Sequence, residues 1–338
     1  MRVAINGFGR IGRAVFRLLN EHPEFRVVAV NDLGEPGVLA YLLRYDTVMG
    51  RFPDRVELDG EMLRTSRQTV RMLRVPEPSA LPWGDLGVDC VVEATGAFRR
   101  RAQLQGHLDA GAQRVLLTVP AKDEIDATVV MGVNDQDLRP EHRIVSNASC
   151  TTNCLAPLVL VLDRAFGIER ALMTTVHAYT NDQRLADVPH TDWRRARAAA
   201  ENIIPTTTGA ARAVGKVLPH LAGRIDGLAA RVPVPDGSVV DLVGELRTPA
   251  SRGDVNRAVA EAAADPTLRR IIRYVEGPVV SSDVIGDPHS CVFDAEYTRV
   301  IGDRVVKVLA WYDNEWGYSN RVVDLLERLK ALGPPPPA

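Results

Sequence analysis

Cysteine is scarce in this chain: Cys90, Cys150, Cys154 and Cys291 are the only four in 338 residues. So few, so widely spread, exclude a disulfide-stapled fold. Cys150 and Cys154 stand four apart, but no second Cys/His pair lies at zinc-ligand spacing, and no metal is expected. Neither sign of charge is in excess. With 41 basic and 43 acidic residues the formal net charge is −2, which gives no general pull toward nucleic acid or an anionic membrane. Lysine is nearly missing (Lys122, Lys216, Lys307 and Lys330), so the positive charge is almost all arginine. That bias carries no functional content by itself. No apolar run approaches a membrane span, and no charged-then-apolar leader precedes the first β-rich run at Arg2. The expected setting is a reducing one, the cytoplasm.

What is present suffices for two cores. The residues are 46% apolar and 25% charged, as in an ordinary globular protein. In the first half, short β-rich runs alternate with helical stretches, which predicts a parallel α/β sheet. Strands are expected at residues 2–6, 27–30, 88–93 and 114–118, with helices at 12–20 and 99–109. Beyond Cys154 the runs lengthen and alternate, at residues 171–180, 228–234, 238–247 and 304–313. That predicts a largely antiparallel sheet with one buried face. Helical spacing recurs at 209–218, 254–264 and 320–332. Residues 181–202 read as a long polar, arginine-rich excursion of the kind that is usually functional. The closing prolines, residues 334–338, read as an extended tail.

Gly7-Phe8-Gly9-Arg10-Ile11-Gly12 is a G-x-G-x-x-G string between a predicted strand and a predicted helix. A second strand ends in Asp32, twenty residues past Gly12, and that context lifts the string above chance. Gly7 permits the tight turn, Gly9 lets amides approach a pyrophosphate, and Gly12 allows close helix–strand contact. Phosphates would rest on the helix N-terminus. Asp32 can accept hydrogen bonds from a ribose 2′-hydroxyl and would repel a 2′-phosphate, favouring NAD over NADP. The bland readings are a glycine turn that binds nothing and a turn-forming Asp32. Thr95, Gly96 and Thr118 stand at the ends of two later strands, where an open α/β sheet binds its ligand.

Ser149-Cys150-Thr151-Thr152-Asn153-Cys154 follows an apolar run and precedes Leu155-Ala156-Pro157-Leu158. This reads as a strand, a tight turn, and a helix starting at the cysteine. Unpaired N–H groups and the helix dipole there favour thiolate over thiol. His177 follows within a β-rich run. Cysteine and histidine together supply covalent catalysis on a carbonyl, although each alone is more often structural.

Five stretches carry a resemblance. They are Asn6 to Arg13, Ser146 to Cys154, Thr174 to Thr180, Pro205 to Ala211 and Trp311 to Tyr318. With them the chain resembles the phosphorylating glyceraldehyde-3-phosphate dehydrogenase family, from residue 1 to about residue 330. The resemblance implies a Rossmann-type NAD-binding domain (residues 1–149 and 314–333) and a mixed α/β catalytic domain (150–313). It implies Cys150 as nucleophile and His177 as the base that assists it. Thr180 and Arg231, with Arg195 nearby, would hold the substrate's phosphate ester. Ser149, Thr151, Thr208 and Gly209 would hold inorganic phosphate. The cofactor-facing set is Gly7, Gly9, Arg10, Ile11, Gly12, Asp32, Thr95, Gly96 and Thr118. Asn314 would fix the nicotinamide carboxamide, with Tyr318 packed beside it. A homotetramer is implied, without nucleic-acid or membrane partners. Pro76 stands where many members carry a basic residue beside the adenine, and residues 122–128 are similar to the erythrose-4-phosphate relatives. Two alternatives stay open at this point: an erythrose-4-phosphate dehydrogenase, and a non-enzymatic NAD- or RNA-binding relative.

Overall fold

The structure, a computed structural model, describes residues 1–337. The chain divides into two compact units. One comprises Met1–Val129, Asp135–Ser149 and the chain from Ser319 onward; the other comprises Val130–Asn134 and Cys150–Tyr318.

The first unit is built on β1 (Arg2–Asn6), α1 (Arg10–Glu21), β2 (Arg26–Asn31), α2 (Pro36–Arg44), β3 (Glu57–Asp59), β4 (Met62–Arg64) and β5 (Thr69–Leu73). It continues with β6 (Cys90–Glu93), α3 (Arg101–Asp109), β7 (Arg114–Leu117), β8 (Ala127–Thr128) and β9 (Ile144–Ser146). The sheet order is β3-β4-β5-β2-β1-β6-β7-β9-β8, parallel except where β4 pairs with β3 and β5. Ala4, Ile5, Val91, Val92, Val115 and Leu116 are fully buried. Central strands covered on both faces lose polar alternation, which is why these read as plain apolar runs. The chain leaves β1 for β2 on one side and reaches β6 on the other. Such a reversal opens a crevice at the C-terminal strand ends.

The second unit contains α4 (Cys150–Phe166), β10 (Ile168–Ala178), β11 (Ile204–Thr207), α5 (Ala210–Val217) and β12 (Ile225–Val232). It adds β13 (Ser238–Leu246), α6 (Arg252–Ala264), β14 (Ile272–Val275), β15 (Cys291–Ile301) and β16 (Val305–Tyr312). Its sheet order is β11-β12-β10-β13-β16-β15-β14; only β10–β12 and β14–β15 pair in parallel. Alternation sorts the faces. Met173, Thr175 and His177 of β10 are buried with Val240, Leu242, Val308, Ala310 and Tyr312, while Leu172 is exposed. Helix α4 packs across β10, β13, β15 and β16 and is buried throughout residues 151–162. Pro157 lies inside it, a placement that costs about 3 kcal/mol. Leu155, Leu158, Val159 and Leu162 are fully buried, and each contributes about 1.5–3 kcal/mol. Packing therefore outweighs the proline.

The strands at residues 57–73 and β15 were not anticipated. β15 is buried on both faces over its first five residues, so it carries no period-2 signal. Asp294 within it is fully buried and accepts a hydrogen bond from Trp311 Nε1 at 3.1 Å. Residues 181–202 hold no named element; Arg184 and Ala198 form an isolated bridge. Pro334 to Pro337 form no helix or strand, and Ala338 lies outside the described residues. Among the described residues no helix is long and apolar enough to cross a membrane.

The last helix, α7 (Trp316–Ala331), is tied into the first unit through Arg114, which is 3% exposed. Its Nη1 donates to Leu329 O (3.2 Å) and Gly333 O (2.6 Å), Nη2 to Pro140 O (2.8 Å) and Nε to His142 O (3.2 Å). Arg114→Met would leave those carbonyls without their donor, at a cost of about 3 kcal/mol. The expected result is a clearly lowered urea midpoint; an unchanged midpoint would contradict this clamp.

Candidate active site

In the first unit the glycine string separates into two kinds of need. Gly7 has φ +94°, and a Cβ there would lie 2.5 Å from Thr95 N. A Cβ on Gly12 would lie 2.0 Å from Gly7 O. The fold itself requires both. A Cβ on Gly9 would meet nothing within 4 Å, so packing within the chain does not require glycine there. Asp32 Oδ2 accepts the Phe8 N–H (2.7 Å) and Oδ1 accepts the Gly34 N–H (2.8 Å). It is thus a turn-fixing residue, and its spare lone pairs stay available to a hydroxyl. Arg10 turns its guanidinium to Asp46 at 2.5 Å, and Ile11 is half-buried.

A buried polar cluster fixes the strand ends around this turn. Trp83 Nε1 donates to His107 Nδ1 (3.0 Å), and His107 Nε2 meets Glu93 Oε2 (3.0 Å). Indole can only donate, so Nδ1 accepts and Nε2 carries the proton toward Glu93. Glu93 also accepts from Asn6 Nδ2 (2.6 Å), from the Thr95 N–H (2.9 Å) and from the Thr95 hydroxyl. Asn31 Nδ2 donates to Asn6 Oδ1 (2.7 Å), and Thr118 Oγ1 donates to Glu93 O (3.0 Å). The ends of β1, β2, β6 and β7 are therefore locked together, and they carry Gly7, Asp32, Thr95-Gly96 and Thr118. Sequence reasoning missed Trp83, His107 and Glu93, whose bonds to one another and to Asn6 span 14 to 87 residues.

The residues before α4 make a strained turn. Ala148 has φ +54°, the only positive φ at a non-glycine among the described residues, a conformation that costs about 1–2 kcal/mol. Two residues on, Cys150 opens α4 and His177 stands near the end of β10, and Cys150 Sγ lies 3.4 Å from His177 Nε2. His177 Nδ1 meets Ala178 O (2.7 Å) and Arg231 Nη1 (2.7 Å). The β10–β12 register places Arg231 directly beside His177. Tyr312 packs edge-on to the imidazole, and its hydroxyl bonds Thr151 Oγ1 and Thr175 Oγ1, each at 2.8 Å. Tyr312 was not foreseen as a site residue. The β16 alternation alone could have pointed it inward.

Two opposing forces act on the sulfur. Burial pushes the Cys150 thiol up, to about 11, against the downward pull of Arg231 and the Thr151 N–H and hydroxyl. Burial and Arg231 push the His177 imidazole down, to about 3. Between those limits the pair holds a single proton, and the two steps belong to the pair rather than to either group. The helix start acts in the expected direction, but burial outweighs it. Sulfur and ring nitrogen, 3.4 Å apart, stand where that proton can pass directly between them.

The expected anion ligands are placed unequally. Arg231 Nη1 donates to Ala178 O (3.0 Å), while its buried Nε has no hydrogen-bond partner among the described residues. The Thr180 hydroxyl donates to Asp182, Arg195 forms an ion pair with Asp182, and Arg195 Nε donates to Thr206 Oγ1 (3.0 Å). Burial would raise the Asp182 carboxyl, but Thr180, Arg231 and Arg195 together hold it below its ordinary value. Thr180, Arg195 and Arg231 thus share one electrostatic neighbourhood, with Asp182 an unforeseen member. Thr208 Oγ1 accepts the Ala210 N–H (3.1 Å) at the start of α5, and a Cβ on Gly209 would meet nothing within 4 Å. Gly209 is the N-cap of α5 and no side chain caps the helix, so the Thr208 hydroxyl makes a local turn bond beside it. The Thr151 hydroxyl, expected on phosphate, also bonds the buried Tyr312 hydroxyl. Ser149 is half-buried, immediately before the nucleophile. Asn314 and Tyr318 are 5% and 4% exposed, and Asn314 Oδ1 accepts from Ser238 Oγ at 2.6 Å.

One proton held by two groups has a kinetic signature. Alkylation of Cys150 by iodoacetamide is expected to be flat with pH through neutrality. In His177→Asn it should be about 10²-fold slower at neutral pH and climb tenfold per pH unit. Parallel pH profiles in the two proteins would contradict the shared proton.

The comparisons agree with this geometry. The family model described as glyceraldehyde 3-phosphate dehydrogenase, NAD binding domain, matches residues 1–101, and that described as its C-terminal domain matches residues 149–314. The glyceraldehyde-3-phosphate dehydrogenase of Streptomyces coelicolor is 55% identical over 327 residues, covering 96% of this chain and 97% of the relative. Its counterpart from Mycobacterium avium is 56% identical over 333 residues at the same coverage. With a thiol set against an imidazole at the head of α4, and with both halves of the chain matched, this chain belongs to the glyceraldehyde-3-phosphate dehydrogenase family.

Proposed function

We propose that the chain catalyses the NAD-dependent oxidative phosphorylation of glyceraldehyde 3-phosphate through Cys150 and His177. The observation that carries the reading is the 3.4 Å contact between Cys150 Sγ and His177 Nε2. Residues 1–149 and 314–333 are assigned to the cofactor domain and 150–313 to the catalytic domain.

NAD fits the residues present. The surface at Gly9 is open, Gly7 and Gly12 let the turn close, and Asp32 offers acceptors where a 2′-phosphate would be repelled. Thr95, Gly96 and Thr118 would line its site, and Asn314 would hold its carboxamide. Bound NAD supplies the hydride acceptor of the oxidation.

The chain's own residues do the rest. Cys150 Sγ adds to the aldehyde carbon while its proton passes to His177 Nε2 and from there to the former carbonyl oxygen, giving a hemithioacetal and leaving the imidazole neutral again. His177 then takes the proton of the hemithioacetal hydroxyl as the carbon is oxidised to the thioester level. Helix N–H groups at the start of α4 and the imidazole would stabilise charge on oxygen. Inorganic phosphate attacks the thioester carbonyl, the C–S bond breaks, and His177 returns a proton to the sulfur, leaving 1,3-bisphosphoglycerate. A thioester conserves free energy that hydrolysis to an acid would dissipate. Arg231, Thr180 and Arg195 would hold the ester phosphate. Ser149 and Thr151 at the start of α4, with Thr208 and Gly209 at the start of α5, would receive the attacking phosphate.

A homotetramer in the cytoplasm is part of the same reading. The outer face of the seven-stranded sheet supports self-association. It carries a cleft of about 700 Å³ whose lining includes Leu172, Val243 and Val305, and Leu172 is 68% exposed. Arg170, Arg224, Asp226, Asp241 and Glu245 surround these aliphatic side chains, an apolar centre with a charged rim of the kind that protein interfaces use.

Two measurements check the proposal. NADH formation from glyceraldehyde 3-phosphate should require inorganic phosphate, run far better with NAD than with NADP, and fall by at least about 10³-fold in Cys150→Ser. A phosphate-independent rate, or a higher kcat/KM with erythrose 4-phosphate, would contradict it. Light scattering should give four times the chain mass, and Leu172→Asp should shift the protein to smaller species. A monomeric parent protein would sink that part.

A further inference from the structure

Asp236 and Asp313 are each 1% exposed, and their carboxyl groups lie close enough for each to bear on the other's ionisation. Two carboxyl groups can lie this close only if one keeps its proton. The remaining bonds say which. Asp313 accepts three N–H groups, from Glu315 (2.8 Å), Trp316 (2.6 Å) and Gly286 (2.7 Å), which favour its charged form. Asp236 Oδ1 accepts from Gly237 N (2.8 Å) and Asn314 N (3.2 Å). Its Oδ2 meets no N–H or O–H donor among the described residues and is the oxygen left to carry the proton to Asp313. Burial raises the Asp236 carboxyl, and the charges of Asp313 and Glu315 raise it further.

The pair stands directly behind Asn314. Its backbone N–H rests on Asp236, and its Oδ1 accepts from Ser238 Oγ at 2.6 Å. Ser238 Oγ in turn accepts the N–H of Ala178 (3.1 Å), the neighbour of His177. We infer that Asp236 is a positioning residue which, as a neutral carboxylic acid bonded to Asp313, fixes Asn314 for the cofactor. This rests on the reading above that Asn314 holds the nicotinamide carboxamide. The charged groups that bear on Asp236 are Asp313, Glu315 and the Cys150 sulfur, whose thiol an ionised Asp236 pushes further up. Removing the shared proton at alkaline pH sets two carboxylates against each other beside Glu315. The seat of Asn314 then loosens.

The test uses the full chain and NAD alone. Infrared spectra of the wild type at neutral pH should show the C=O stretch of a protonated carboxylic acid that Asp236→Asn removes. The wild-type Kd for NAD, by calorimetric titration, should rise about tenfold as that band disappears with increasing pH, the effect of one lost hydrogen bond. In Asp236→Asn, whose amide donates to Asp313 at every pH, that rise should vanish. Asp236→Ala should raise Kd at neutral pH, and the asparagine should restore it. A missing acid band, or the same alkaline rise in Asp236→Asn, overturns the inference. If Asn314→Ala leaves the Kd for NAD unchanged, the reading of Asn314 and this inference fall together, whereas the first two failures leave that reading standing.

Discussion

A sulfur and a ring nitrogen 3.4 Å apart, 27 residues apart in sequence, set the terms for the rest of the second unit. No local turn can make that contact. It needs α4 laid across the inner face of the sheet, with Cys150 at its head, and it needs the inward side of β10 to carry His177. Cross-strand register then adds Arg231, and the inward face of β16 adds Tyr312. Burial of four large aliphatic side chains on α4, at about 1.5–3 kcal/mol each, holds the helix there despite Pro157. Packing free energy is thereby converted into a fixed Sγ–Nε2 distance, which is the preorganisation a proton transfer requires.

The polar interior follows one rule throughout. Buried ionisable groups are held at low net charge. Cys150 and His177 share a proton. Glu93 is satisfied by Asn6, Thr95 and His107, with Trp83 fixing the tautomer of the ring. Asp236 is neutral beside Asp313. At the surface, Asp182 and Asp192 both form ion pairs with Arg195, and Arg231 and Arg195 help hold Asp182 below its ordinary value. Unpaired buried charge would cost several kcal/mol at each such place. In this arrangement the nucleophile and the strand-end crevice stay rigid without an uncompensated charge under either.

Much of this was legible in the order of residues. The two-sheet α/β fold followed from the change between plain apolar runs and alternating ones. The glycine turn could be placed because strand, turn, helix and acid lie within thirty residues. Cys150 announced itself by standing at a helix start. What stayed illegible depends on register and density. Glu93 with His107, and Tyr312 with Thr151, meet across 14 and 161 residues, and no local period encodes such pairs. The direction of the Thr151 hydroxyl was invisible for the same reason. Sequence displayed the helix start at Cys150 but not the protein packed around the sulfur, so the electrostatic pull was foreseen and the larger effect of burial was not. β15 failed to declare itself because both its faces are covered where it begins.

The central claim is that Cys150 carries the acyl group while His177 manages its proton. The most direct measurement is rapid acid quench of the enzyme with NAD and glyceraldehyde 3-phosphate, phosphate omitted, followed by mass spectrometry of the digest. The account requires a glycerate-phosphate thioester on the peptide bearing Cys150, discharged within one turnover when phosphate is added. An acyl group found on any other residue, or product formed from phosphate with no acylated Cys150 on the way, would contradict it.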